Sequence, residues 1–152
     1  MNKIGILATD IWNGEFKEEE EDEIQACTQI DFISGWLSSN LGNLNVVLHT
    51  NFSGCDPDWG LEAPAIFYQM YMKHYYKKQA RNMLKGINRS SDFIELRDAD
   101  TAIKRNSRTE AVRHYGNLVK DSEEEIKRLI TKFHQYEMQP LQVVGRDAST
   151  LA

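Results

Sequence analysis

The side chains with the most chemical capacity in this sequence are its four histidines, His49, His74, His114 and His134. A metal site on a helix needs two ligands on one face, as in HExxH or a Glu three residues before a His. The sequence contains neither HExxH nor a Glu three residues before a His, and His134 follows Ile130 and Thr131 at the relevant spacings. We therefore expect no metal, and we interpret His74 and His134 as structural histidines on helices.

Nucleophilic and cofactor motifs are also missing from the sequence. It contains no GxSxG, GxGxxG or P-loop pattern, so neither a serine nucleophile nor a phosphate-cradling loop is indicated. Its 23 acidic residues offer many carboxylate pairs, but no spacing distinguishes one of them. Cys27 and Cys55 make no CxxC, and we expect two reduced, partly buried thiols. The prediction is a protein without catalytic residues or cofactor.

The composition is typical of a globular protein. With 152 residues, of which 41% are hydrophobic and 27% charged, the chain can bury one core. No apolar run approaches the roughly 18 residues of a membrane span, and the N-terminus lacks the features of a secretory signal. We expect an intracellular protein that does not contact a membrane.

The charge is distributed unevenly along the chain, whose net charge is −5. Residues 1–72 carry 12 acidic and 2 basic side chains, whereas residues 73–113 carry 11 basic and 5 acidic ones. Such asymmetry favours head-to-tail contact between copies, or a basic face presented to an anionic partner.

Three amphipathic helices are predicted. The first follows the acidic run Glu15–Glu23, which we interpret as a solvated helix start, and is expected to end near Gly42, a residue typical of helix C-caps. The second spans about Leu61 to Lys85, with Pro64 in its first turn. Its last turns carry a basic face made of Lys77, Lys78, Arg81 and Lys85. That face could contact phosphates or the acidic run of the same or a neighbouring chain.

The third helix has the most regular pattern. Ser107 and Glu110 make a capping box, and apolar residues then recur in a heptad-like repeat for 25 residues, roughly 37 Å. We expect this repeat to form the packing spine of the subunit, with Val112, Tyr115, Val119, Ile126, Leu129 and Phe133 as its members. Pro140 should end the helix.

The fold class expected from these patterns is mainly α. We predict a helical bundle of about three main helices, with a short β segment at Asp92–Leu96 and an extended C-terminal arm. Residues 1–139 would form the helical domain and residues 140–152 the arm. One short segment of the arm would dock on a partner as an added strand; its residues are Leu141, Gln142, Val143 and Val144.

The layout of several segments resembles a known family. "DADTAIKRNSRTEAVRHYGNLVKDSEEEIKRLI" followed by "QPLQVVGRD", with "ISGWLSSNLGNLN" and "IFYQMYMKHYYKKQARNMLKG" upstream, is similar to the head-to-tail connector, or neck adaptor, proteins of tailed bacteriophages. The resemblance covers about Ile24 to Asp147 and consists of layout rather than a diagnostic motif.

The resemblance implies a structural virion protein. Such subunits form a homo-oligomeric ring, commonly of twelve copies, that lies below the portal and continues the channel for the genomic DNA. It implies portal binding through the C-terminal arm, contact with a downstream tail or neck protein, and location in the virion neck after assembly in the host cytoplasm. The charged segment Arg97–Arg105, with Lys104 and Arg105, would face a neighbouring subunit or the DNA, as would the basic face of the second helix.

One alternative function comes from a different class. The basic face of the second helix, interleaved with Tyr75 and Tyr76, would suit a small helical nucleic-acid-associated protein. The acidic net charge and the lack of a helix-turn-helix spacing argue against sequence-specific recognition.

Overall fold

The computed structural model describes residues 2–17, 23–55, 59–87, 95–98, 101–104 and 108–137. It consists of α1 (Lys3–Ile11), a π-helical turn (Trp12–Phe16), α2 (Glu23–Leu48), α3 (Glu62–Ile87) and α4 (Arg108–Glu137). Two short strands, β1 (Glu95–Asp98) and β2 (Thr101–Lys104), lie between α3 and α4. The protein is a mainly helical bundle, which confirms the predicted fold class at that level.

The antiparallel pair α3–α4 forms one side of the bundle. Tyr76 contacts Tyr115 near the start of α4, with ring centroids 6.4 Å apart, while Lys73, three residues earlier in α3, reaches Glu123. Leu129 and Phe133, farther along α4, pack on the central core. The predicted spine residues of α4 are half-buried along this contact: Val112, Tyr115, Val119, Ile126, Leu129 and Phe133.

The central core lies where α1, α2 and α3 meet. Leu37, Leu44, Leu48, Ile66 and Phe67 have no measurable exposure. Leu37, Leu44 and Leu48 stand seven and four residues apart in α2, and Ile66 and Phe67 follow the equally buried Ala63 by three and four residues in α3. One face of each helix therefore enters the core. A Phe→Ala change at a site like Phe67 costs about 3–5 kcal/mol because it leaves a large void.

α1 and the π-helical turn were not predicted from the sequence. Asn2 caps α1 by accepting a 3.1 Å hydrogen bond from the Ile4 backbone N–H, and Ile4, Ala8 and Ile11 are buried. Their spacing of four and three residues is helical, but the segment covers little more than two turns. Phe16 in the π-helical turn then packs edge-on against Tyr75 of α3, with centroids 4.8 Å apart.

The predicted end of the first long helix at Gly42 is wrong. α2 continues to Leu48 because Leu44 and Leu48 extend its buried face. The helix ends at His49, whose φ of 55° is left-handed, and the Thr50 backbone N–H donates to the Asn45 carbonyl at 3.0 Å. This is the hydrogen bond of a Schellman motif, with histidine in the position that usually holds glycine.

The region between α3 and α4 pairs as a hairpin. β1 and β2 are antiparallel, with Glu95 opposite Lys104 and Asp98 opposite Thr101. The predicted strand at Asp92–Leu96 lies mostly in residues 88–94, outside the described residues. Ser107 of the predicted capping box and the C-terminal arm, residues 140–152, also lie outside them.

Replacement of His49 tests the helix end. A side chain at a left-handed φ costs about 1 kcal/mol relative to glycine, so we expect His49→Gly to unfold with a free energy about 1 kcal/mol higher than His49→Ala. Both variants lose the ring contact with His134, whose centroid lies 5.7 Å away, so their difference isolates the backbone. Urea denaturation measures it, and equal stability would contradict the strain at this residue.

Candidate functional site

The predicted basic face is divided by the fold. Lys73 and Lys77 point towards α4, where their amino groups lie 3.0 and 3.5 Å from one oxygen of Glu123. Lys78, Arg81 and Lys85 are exposed. One predicted alternative is that this face pairs with the acidic run. For Lys77 the structure shows a different partner, Glu123. Residues 18–22 of the run lie outside the described residues.

Glu15, which begins that run, has a different role from the predicted one. It lies in the π-helical turn rather than at a helix start, and its carboxylate accepts a hydrogen bond from the Tyr68 hydroxyl. The pKa of Tyr68 is raised, first by burial and then by this carboxylate. The contact ties the π-helical turn to α3.

Two cavities flank the contact between Trp36 of α2 and His74 of α3. The first, the apolar cavity, has a volume of about 320 Å³ and lies between α2, α3 and α4. Its lining is mostly apolar, with lysines at the edge: Trp36, Val47, Met70, Lys73, His74, Lys77, Ile126 and Ile130. Lys73 and Lys77 both contact the carboxylate of Glu123. Its negative charge partly cancels the attraction of the two lysines for an anionic ligand in this cavity.

The second, the aromatic cavity, has a volume of about 350 Å³ and lies between α2 and α3. It is lined by five rings and two polar side chains: Gln29, Phe32, Trp36, Tyr71, His74, Tyr75 and Lys78. The Trp36 ring lies 5.4 Å from Tyr71, edge to face, and 5.1 Å from His74 at an interplanar angle of 32°. Phe32 is 70% exposed, so one wall of the cavity is an aromatic ring open to water.

The electrostatics of the aromatic cavity are set on α3. The pKa of His74 is lowered from its ordinary 6.5, first because its ring is partly buried and then by the positive charges of Lys78 and Arg81. At pH 7 the imidazole is therefore neutral and acts as a planar ring. The predicted structural role of His74 fits this ring packing.

A further surface feature lies on α2. Its outward face repeats at steps of three, four or seven residues, through Ile24, Thr28, Gly35, Ser39, Gly42 and Val46, all of them exposed. We name these six residues the α2 stripe. Ile24 is 82% and Val46 73% exposed. Of the 26 residues of α2, only Glu23 and Asp31 are charged.

Other predicted features have mixed outcomes. Cys27 and Cys55 are free, as expected, but both are exposed rather than partly buried. Among the residues that the structure describes, no His, Cys, Asp and Glu cluster could hold a metal. The described helices also include none long and apolar enough to cross a membrane.

Several predicted site residues cannot be placed. Arg105 and the arm residues lie outside the described residues; the arm residues are Leu141, Gln142, Val143 and Val144. Lys104 lies in β2, where only the backbone is described. Their roles stay predictions.

The sequence analysis missed the aromatic cavity. Tyr75 and Lys78 were noted as neighbours on one helix, but Phe32 and Trp36 come from another helix about 40 residues earlier. The available signal was the pairing of Phe32 and Trp36 at four-residue spacing in a helix otherwise poor in aromatics.

Comparisons of the chain with protein-family models, with curated proteins and with solved structures each gave no match. Functional proposals therefore depend on the geometry above and on the layout of the sequence.

Replacement of Glu123 tests the ion pair that it forms with Lys73 and Lys77. The pKa of Glu123 is lowered chiefly by the hydrogen bond and charge of Lys73, so the pair stabilises the fold above the unfolded pKa of about 4.5. The contribution is lost as pH falls through the lower folded pKa. We expect the difference in free energy of unfolding between the native chain and Glu123→Gln to be constant above about pH 5 and to shrink below pH 4.5.

The matched control is Glu124→Gln, which removes the same charge from the next residue without removing the carboxylate that Lys73 and Lys77 share. Urea titrations of both variants across this pH range would contradict the assignment if the two showed the same pH dependence.

Proposed function

We propose that this chain is a structural subunit that assembles with copies of itself through α2, and that the assembly is the head-to-tail connector ring of a tailed phage. The observation that carries self-assembly is the exposed α2 stripe, on a face whose one charged residue is Asp31. The connector assignment is supported by the resemblance in layout from about Ile24 to Asp147 and by the polar distribution of charge.

The argument begins with a contrast between two helices of the same bundle. The outward face of α4 is densely charged, as a face in permanent contact with water usually is: Lys120, Asp121, Glu124, Lys127, Arg128 and Lys132 are all exposed. The outward face of α2 that holds the stripe instead extends from Ile24 to Val46, roughly 33 Å, and carries one charged residue, Asp31. A face so poor in charge resembles the core of a protein–protein interface, where charged residues are depleted.

The glycines in the stripe favour a helix as the partner surface. Glycine in a helix interior costs about 1 kcal/mol relative to alanine, and a Cβ at Gly35 or Gly42 would meet no atom within 4 Å. Nothing in the described part of the subunit therefore requires glycine at either position. Small residues let a second backbone approach closely. A helix of a neighbouring subunit packed on the stripe would explain why glycine stands at these positions.

The charge distribution supports a ring rather than an isolated dimer. The acidic first half and basic middle of one chain are complementary to those of a neighbour, and head-to-tail contacts of this kind generate a ring where the rotation between neighbours closes. In the connector form, the ring would be commonly twelvefold, bind the portal through residues 140–152, contact a downstream tail or neck protein and surround the DNA.

Alanine at the stripe glycines should change folding and assembly in opposite directions. We expect Gly35→Ala and Gly42→Ala each to raise the free energy of unfolding of the dilute subunit by about 1 kcal/mol. The added methyl group should weaken self-association about tenfold, because it intrudes where two helices meet. Urea denaturation and sedimentation velocity measure the two effects.

Gly116→Ala in α4 is the matched control, because a Cβ there would also meet no atom within 4 Å. It should stabilise the subunit similarly and leave association unchanged. A wild-type protein that remains monomeric at high concentration, alone and with a portal, would contradict the proposed assembly.

Deletion of residues 140–152 tests the connector form. We expect the truncated chain to keep the circular-dichroism helicity of the full chain, because α1 to α4 end at Glu137. It should lose attachment to a cognate portal in co-sedimentation and negative-stain imaging. Attachment that survives the deletion would remove the arm from the proposal.

A further inference from the structure

The aromatic cavity has two features that are typical of a ligand site: its volume and the exposure of a ring on its rim. Its rings come from two helices and enclose about 350 Å³, a volume at the lower end of small-molecule sites. Phe32, on its rim, remains 70% exposed although burial of a phenylalanine side chain is favourable. A ligand seated in the cavity would complete that burial.

The geometry of the walls favours a flat ligand. Trp36 stands between Tyr71 and His74, and the indole and imidazole planes diverge by only 32°. Rings in such an arrangement offer faces and edges on which another planar ring can stack. The lowered pKa of His74 leaves its imidazole neutral at pH 7. The ring can therefore stack on an uncharged planar ligand without charge repulsion.

The polar side chains are placed to recognise an acidic group attached to that ring. Lys78 lines the cavity, and the charge of Arg81, one turn later, also acts on His74. Lys73 and Lys77, by contrast, are engaged by Glu123 on the side facing α4. Gln29 contributes an amide that can both donate and accept hydrogen bonds.

We propose that the aromatic cavity binds the base-and-phosphate unit of a nucleotide. The base stacks among Phe32, Trp36 and His74, its edge meets the Gln29 amide, and the phosphate lies against Lys78 and Arg81. Every base can stack on aromatic side chains. The site therefore recognises a planar base with an attached phosphate and has no base-sequence specificity. It does not depend on self-assembly of the chain.

Two sources supply this chemistry, a free nucleotide and a single-stranded nucleic acid. The experiment is a fluorescence-anisotropy titration of the full chain with a labelled oligothymidylate of about ten nucleotides, within the usual site size of such proteins. Unlabelled oligothymidylate, thymidine monophosphate and thymidine serve as competitors. Competition by the monophosphate at concentrations similar to the oligonucleotide assigns the site to free nucleotides, whereas competition by the oligonucleotide alone assigns it to a strand.

Two variants test the residues, each with a matched control. Phe32→Ala should weaken binding about tenfold, the loss expected for one stacked base, while Leu61→Ala, which shortens an 89% exposed side chain far from the cavity, should not. Lys78→Glu should weaken binding and reduce its salt dependence, while Lys132→Glu on the exposed face of α4 should leave both nearly unchanged.

The outcomes are distinct. Binding that falls in both cavity variants and persists in both controls supports the site. If neither the oligothymidylate nor thymidine monophosphate binds, the proposal is overturned. Binding that survives Phe32→Ala, or that falls equally in Lys78→Glu and Lys132→Glu, also overturns it, because the interaction would then be general attraction to positive charge. Thermal unfolding of each variant identifies any loss that results from misfolding, and Phe32→Leu then replaces Phe32→Ala.

Discussion

Trp36 is the side chain on which the arrangement of this bundle depends. Its indole lies 6.2 Å from Phe67 in the fully buried core, 5.4 Å from Tyr71 and 5.1 Å from His74. It also lines both cavities. Because packed interiors transmit displacements rather than absorb them, any shift of α2 against α3 changes the core and both cavities together.

The parts of the fold that could be predicted from the sequence are those where local pattern and tertiary burial agree. α4 is the best example: its apolar residues repeat in heptads, many of its remaining positions are charged, and its half-buried face is the predicted one. α3 was also predicted within about two residues at each end. Its start at Glu62 places Pro64 in the first turn, where proline loses no helical hydrogen bond.

The errors arose where local signals and burial disagree. Gly42 is a typical helix end, but Leu44 and Leu48 gain more from burial than the glycine costs, so α2 continues to His49. α1 was missed because a helix of nine residues holds only three core positions. The aromatic cavity could not be predicted because its walls come from two helices, and no pattern along one helix indicates which rings meet across a contact.

The position of Phe32 links the two proposals. It stands four residues after Thr28 and three before Gly35, both in the α2 stripe, so its ring lies along the border between that stripe and the aromatic cavity. A helix packed on the stripe would cover one side of Phe32, and a base in the cavity would cover the other. Because both events contact the same ring, the position that Phe32 takes for one affects the other. Where assembly alters ligand affinity, the ligand alters assembly by the same factor. The sign depends on whether the partner helix completes the wall of the cavity or occupies the space of the base.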